Sequence, residues 1–294
     1  MSGTAIGRRR GRVGRIWAAM PLGMRVAALV VVLAVVAGTF AQWLSPYDFR
    51  ATHLRERLLP PLGFEGGTTK YVLGTDNLGR DILSRLLHAT QISIALAFCG
   101  TLIAGVLGSV LGFVAAHRRG WVEDVILLLV DAQASLPFIL IALAVMAFFG
   151  TDLWLFIALL GLNGWEKFAR LVRGAVLSAK ESGYAFAARS LGVSPWRLYS
   201  RHVLPNIANI LIVQFTLNLP DTVLLESTLS FLGFGVQQPM TSLGQMLGAG
   251  RNHLLSAPWI ALLPGAIIIG VTLSVSLLGD WMRDMLDPTS RNAD

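Results

Sequence analysis

Four carboxylates stand inside or beside long apolar runs of this 294-residue chain: Asp131, Glu166, Asp221 and Glu226. A charge at bilayer depth is costly unless it is paired or hydrated. Each of the four therefore marks a helix cap, an ion pair with arginine, or the wall of a water-filled path. Asp131 lies in the inner half of its run, one to two turns before Pro137, and Asp221 follows Pro220 directly. Each proline removes a backbone hydrogen bond inside its run and predicts a kink there. A proton relay would want acids and histidines at matched depth, and His202 falls outside the apolar runs. The acids and the two prolines are thus read as path or packing residues.

Other chemistry is missing. No Gly–Lys pair exists, so a phosphate-binding loop cannot be built. The five histidines form no HExxH and no clustered ligand set, and no metal site is expected. No Gly-x-Ser-x-Gly elbow occurs. "DNLGRD" has the look of a calcium loop but lacks the ligand spacing and the terminal Glu. The one cysteine, Cys99, lies in an apolar run and is expected to pack as a small hydrophobe. A chain with this inventory hydrolyses nothing itself. Work driven by ATP would need a separate ATPase chain.

The elements that must position these residues are membrane spans. Apolar residues make up 54% of the chain and charged residues 14%, against roughly 25% charged in soluble domains. A spanning helix needs about 20 apolar residues. Spans are predicted at about 26–44, 92–116, 125–149, 153–173, 207–230 and 259–279. The fourth is apolar only to Trp165, where Glu166 and Lys167 interrupt it. Of the 24 lysines and arginines, only Arg50, Arg55, Arg57, Lys70, Arg80, Arg85 and Arg251 then fall outside. The positive excess on the inner loops predicts both termini inside. It also accounts for the net charge of +7 without nucleic acid, because the basic residues sit beside apolar segments.

The chain divides into a basic tail (1–25), a first span (26–44), an external segment (45–88), a transmembrane domain (89–280) and a second cytoplasmic tail (281–294). "RRRGRVGRIW" followed by an apolar run has the layout of a signal peptide, but that run is long for one and is read as an uncleaved span. The external segment starts irregular, with Pro46, Pro60, Pro61 and "GFEGG". It ends in "LGTDNLGRDILSRLL", where Thr75 or Asp76 could cap a helix whose apolar face is Ile82, Leu83, Leu86 and Leu87. That predicts an amphipathic helix lying on the outer membrane surface. Residues 231–257, rich in Gly and with a Gln–Gln–Pro turn, predict an interface or vestibule loop.

Between the fourth and fifth spans, "EKFARLVRGAVLSAKES" is expected to carry the helix into the cytoplasm. "YAFAARSL" then forms a short helix with a small-residue face at Ala185, Ala187 and Ala188, and Gly192 stands at its left-handed stop. Ser194 caps a second helix with Pro195 at its first position, and Leu204–Pro205 breaks it. Two short helices at an angle, with Tyr184, Phe186 and Trp196 among small residues, suit a knob for a protein groove.

This segment resembles the "EAA" loop of the integral-membrane subunits of bacterial ATP-binding-cassette importers. Ala187, Ala188, Gly192 and "VLP" at 203–205 match in type and spacing, whereas Phe186 stands where the family usually has Glu. "LGTDNLGRDILSRLL", "FARLVRGAVLS", "ESTLSFLGFGVQQP", "RNHLLSAPW" and "LLGDWMRDMLDP" extend the resemblance over about residues 71–288. They are similar to the C-type permease of the dipeptide, oligopeptide and nickel group. The resemblance implies an all-α, type I importer permease of six spans in the bacterial inner membrane. It implies a heterodimer with a second, homologous permease, two ATP-binding subunits that hold the ATP and magnesium, and an external solute-binding protein. No cofactor is implied in this chain. Tyr184, Phe186, Ala187, Ala188, Gly192, Pro195 and Trp196 would dock an ATPase. Peptide is the expected cargo, with nickel, an opine or glutathione open in the same machinery and an ion-coupled secondary transporter as the alternative class.

Overall fold

A computed structural model describes residues 20–181 and 204–286. Ten α-helices are found among these residues, and no strand beyond one isolated bridge between Thr75 and Asp81. Helix α1 (Leu22–Thr39) follows Pro21, and a single turn, α2 (Ala41–Leu44), ends it. Helix α3 (Ile82–Arg118) is capped by Asp81, whose carboxylate accepts the Ser84 N–H at 2.8 Å. Arg119 and Gly120, both at positive φ, turn the chain into α4 (Trp121–Ser135). Glu123 and Asp124 in the first turn of α4 favour its positive end.

Pro137 then ends α4, and α5 (Phe138–Phe149) leaves at 89° to it. The kink expected at Pro137 is thus a full break. Pro220, by contrast, sits within a helix that continues through it. Gly150 at φ +90 stops α5, and Asp152 caps α6 (Leu153–Gly161) by accepting from Trp154 and Leu155 N–H. Gly164 at φ +89 separates α6 from α7 (Trp165–Glu181). The remaining helices are α8 (Leu204–Phe231), α9 (Leu243–Gly250) and α10 (Trp259–Leu286).

Among the described residues, four helices are long and apolar enough to cross a bilayer: Leu22–Thr39, Ile82–Arg118, Ile207–Phe231 and Trp259–Met285. The bent pair α4–α5 makes a fifth. The span expected at 153–173 is divided at Gly164 instead of continuous. A Cβ there would lie 2.2 Å from the Asn218 amide, so only glycine permits the approach of this turn to α8.

The core is held by close backbone approach along α3. A Cβ on Gly100 would press on Leu160, one on Gly108 would come within 2.2 Å of the Trp165 carbonyl, and one on Gly112 within 2.5 Å of the Ala169 carbonyl. These glycines, with Ala104 between them, recur every four residues and form one face of α3. Helices α6 and α7 lie along that face in the same direction as α3. Phe168, Ala169, Val172, Val176 and Ala179 form the buried stripe of α7. Residues beyond Glu166 therefore do not leave the bundle at once, as the charges suggested. They pack beside α3 down to Ala116, whose carbonyl accepts from Lys180 Nζ.

Two further expectations change. Residues 75–81 form a turn, not a helix, and Asp81 supplies the cap in place of Thr75 or Asp76. Ile82 and Leu86 are buried against Leu243, Met246 and Ile260 and do not lie on the membrane surface. Cys99 is exposed on α3 and is not packed.

Candidate functional site

Tyr184, Phe186, Ala187, Ala188, Gly192, Pro195 and Trp196, the residues expected to dock an ATPase, lie outside the described residues. Their two anchors are described. Helix α7 leads into the segment at Glu181, and α8 leaves it at Leu204, with Pro205 in the first turn where a missing N–H costs nothing. Val176 and Ala179 of α7 pack with Ile207 of α8 and Ala116 of α3. The segment therefore springs from a packed apolar base.

Above this base, α7 turns three cations toward its neighbours. Arg173 Nε donates to Glu123 at 2.6 Å, Arg170 to Asp131 at 2.9 Å, and Lys167 to Asp221 at 2.7 Å. The pairs climb away from the basic rim at His117, Arg118 and Arg119. Phe168 packs at Gly108, about 15 Å along α3 from Arg118. Lys167 lies about 20 Å along α7 from Lys180, which is level with Ala116. Asp221 is about 25 Å along α8 from Leu204 and about 15 Å from Phe231. The hydrocarbon core is about 30 Å thick, so the Lys167–Asp221 pair falls near its middle. Both members remain half exposed, at 48% and 50% of their side chains.

Glu166 differs from its neighbour. Its Oε2 is enclosed with no hydrogen-bond partner among the described residues. The turn between α6 and α7 is met by a buried polar cluster on α8. Thr101 donates to Thr222 at 3.1 Å, Thr222 donates to the Asn218 carbonyl at 3.1 Å, and Asn218 Nδ2 reaches the Asn163 carbonyl at 3.5 Å.

Glu226 is fully buried and has no arginine partner among the described residues. Its carboxylate accepts from the hydroxyl of Ser230 at 2.8 Å and from Ser93, Ser242 and Ser227. Ser93 Oγ also accepts the Leu243 N–H, and Ser242 caps α9. Glycines let this junction close: a Cβ on Gly244 would meet the Ser227 carbonyl at 2.2 Å, and one on Gly235 the Ser230 hydroxyl at 2.0 Å. The residues "ESTLSFLGFG" thus pin the 231–257 segment onto α3 and α8. Glu226 is enclosed within this junction.

A second junction at the Asp81 end of α3 carries residues that sequence reasoning passed over. Asp76 Oδ1 accepts the N–H groups of Leu78 (2.8 Å) and Arg80 (3.0 Å). Its Oδ2 accepts Arg80 Nε (2.7 Å) and Arg85 Nη1, and Arg85 Nη2 continues to Thr241. Trp259 Nε1 donates to the Thr75 carbonyl and brings α10 into the same knot. The available signal was Arg85 within an apolar stretch, nine residues after an acid. Further out, Glu56 accepts from Lys70 and from the Tyr71 hydroxyl, each at 2.7 Å. The Lys70 bond first, then the Tyr71 bond, holds the Glu56 carboxyl below its usual range. The Glu56 bond holds Lys70 above its own. Burial first, then the Glu56 bond, pushes the Tyr71 phenol up.

Apolar helices of spanning length and a broken span define a multi-pass membrane protein. The comparisons are specific about which. Residues 108–292 match the family described as "Binding-protein-dependent transport system inner membrane component", and the chain belongs to that family. It is 37% identical over 266 residues to the di/tripeptide transport system permease protein DppC of Pseudomonas aeruginosa, covering 90% of this chain and 88% of that one. It is 36% identical over 262 residues to the glutathione transport system permease protein GsiD of Pectobacterium atrosepticum, covering 89% and 85%. The MetNI methionine ABC transporter in an inward-facing conformation shares the fold, with a TM-score of 0.56 at 19% identity over 69% of this chain and 97% of that one. The chain is therefore the permease component of an ATP-driven importer in the bacterial inner membrane. Its family associates with ATP-binding subunits and a substrate-binding protein.

Proposed function

We propose that this chain is one permease half of an importer for di- and oligopeptides, paired with a second, homologous but distinct permease. It crosses the membrane six times with both termini in the cytoplasm. Helices α6 and α7 together make the fourth crossing, and support for this comes from their parallel course along α3 between Gly100 and Ala116. Residues Tyr184 to Trp196 dock an ATP-binding subunit, where ATP and magnesium are held. The chain itself has no phosphate-binding loop and hydrolyses nothing.

The observation that carries the cargo is the 37% identity to a di/tripeptide permease over 90% of the chain. Glutathione is the second reading, favoured by the relative of P. atrosepticum. Co-purification of the native complex tests both. The expected result is a second permease, two ATP-binding chains and a binding protein that carries a peptide identified by mass spectrometry. Glutathione in the binding protein would select the second reading, and nickel or an opine would replace both. A complex without an ATP-binding chain would overturn the assembly.

A further inference from the structure

The ion pairs of α7 have a geometry that no packing role requires. At about 15–20 Å from the basic rim, they lie within the thickness of the hydrocarbon core. Yet Lys167 and Asp221 are half exposed, and Arg170 and Asp131 are exposed at 53% and 70% of their side chains. Ionised groups at this depth face a bundle interior or a water-filled cavity, not lipid.

The helix faces agree. On α7, Lys167, Arg170, Gly174 and Ser178 lie opposite the buried stripe of Phe168, Val172 and Val176 at a spacing of about 100° per residue. The exposed residues of that side are Lys167, Arg170, Gly174 and Ser178, with the partly buried Leu171 and Leu177 at its two edges. On α4, the exposed apolar residues Val125, Leu129 and Ala132 occupy one flank, while Asp124, Asp131 and Ser135 occupy the other, with Leu128 on the border between them. The chain thus separates a lipid flank from a charged one. The break between α4 and α5 at Leu136–Pro137 is exposed as well. Irregular backbone at membrane depth is tolerated where it is buried in protein or lines water.

We propose that Lys167, Asp221, Arg170 and Asp131 form the polar wall of the transport path. We further propose that the Lys167–Asp221 pair parts near mid-membrane to hold the two termini of a peptide. The α-ammonium of the cargo takes Asp221 and its α-carboxylate takes Lys167, so the charge balance of the site is the same empty and filled. The wall follows from depth and exposure alone. The exchange of partners rests on the peptide reading above.

The test uses the assembled complex with its binding protein, in a Cys99→Ala background because Cys99 is the only cysteine. Single cysteines are placed by Gly174→Cys, Asp221→Cys, Leu224→Cys one turn beyond Asp221 on the exposed side of α8 and, on the apolar flank of α4, Leu129→Cys. Gly174 has open space where a side chain would sit, so this probe disturbs no pair. A charged, membrane-impermeant methanethiosulfonate is expected to label positions 174, 221 and 224 and to spare 129. No labelling at 174 and 221 would overturn the wall and make the pairs a dry brace against the partner permease. A saturating free dipeptide is expected to slow labelling at 224, where Lys167 and Asp221 are both intact, at least fivefold, and the N-acetyl, C-amide dipeptide to leave it unchanged. Labelling without protection by the free dipeptide, in a parent complex that imports that dipeptide, would overturn the exchange of partners. A parent complex that does not import it would overturn the peptide reading and the exchange with it, and leave the wall standing on its labelling. Lys167→Met and Asp221→Asn are each expected to lower dipeptide uptake at least tenfold with ATP-binding chains still recovered. Wild-type uptake by both single variants would count against the exchange of partners.

Discussion

Removing the Asp76 carboxylate should loosen the whole Asp81 end of the bundle. Asp76 is fully buried, and its two oxygens accept four hydrogen bonds, two from backbone and two from the guanidiniums of Arg80 and Arg85. Asp76→Ala would leave Arg85, only 3% exposed, without its anion, and Arg85 Nε already has no partner among the described residues. Breaking a buried pair from one side costs about 3–5 kcal/mol, because the surviving charge stays buried. At about 2–4 °C per kcal/mol for a chain of this size, the melting temperature should fall by on the order of 10 °C. Thermal unfolding of the solubilised protein, followed by tryptophan fluorescence, reads the shift. Limited trypsin cleavage after Arg57 or Lys70 localises it. Adding Arg85→Met should recover more than half of the loss, since an apolar replacement of both partners removes the uncompensated charge. The reasoning is refuted if Asp76→Ala melts within 2 °C of the parent (under 1 kcal/mol), or if the double variant is no better than the single.

Gly108→Leu drives a side chain into the Trp165 carbonyl, 2.2 Å from the new Cβ. Overpacking of this kind costs about 1–3 kcal/mol or more, and recovery of folded permease should drop well below that of Gly174→Leu, which meets open space. Glu56 titrates below its ordinary 4.5 because Lys70 and Tyr71 bond the ionised form. Its contribution is therefore present above pH 4.5 and is lost as the pH falls through the lower folded value. Protease cleavage within 54–72 should rise over that acid window, and Glu56→Gln should flatten the profile. Phe186→Ala should weaken recovery of the ATP-binding subunits in a pull-down while leaving the permease pair intact, because burying a Phe side chain contributes about 1.5–3 kcal/mol. Unchanged recovery would remove Phe186 from the docking surface.

The membrane class and four of the spans were legible because apolar runs of spanning length state themselves, and the break at Pro137 was legible as a weaker event, a kink. The split at Gly164 was not. Its signal is one Asn–Gly step, and whether that ends a helix depends on Asn218, more than fifty residues away and packed where a Cβ would be. Arg85 was misplaced for the same reason. A period of apolar residues from Ile82 to Leu87 reads equally as a surface helix or as a buried helix start, and only the partner at Asp76 decides. The acids at 131 and 221 were legible as paired or path residues, but their partners on α7 were not, since the charges after Trp165 read as an exit into water. Local pattern reports what a residue needs. It is silent on which distant element supplies it.

That limit bears on how acids in a membrane protein are sorted. Depth and charge alone put Glu226 and Asp221 in one class, five residues apart on one helix. Burial and partners divide them. Glu226 is closed off by four serine hydroxyls, each tied to α3, α8 or α9, so its removal acts on the junction. Asp221 has one long, flexible partner and an open side, so its pair can exchange without moving any backbone. A group that must meet cargo has to be free to change partners, and a group that must hold a loop has to be saturated. Packing of the same kind explains why α7 can bear charge at all. Its glycine-lined contact with α3 spends the buried apolar stripe on one neighbour, and the charges are left on the opposite face.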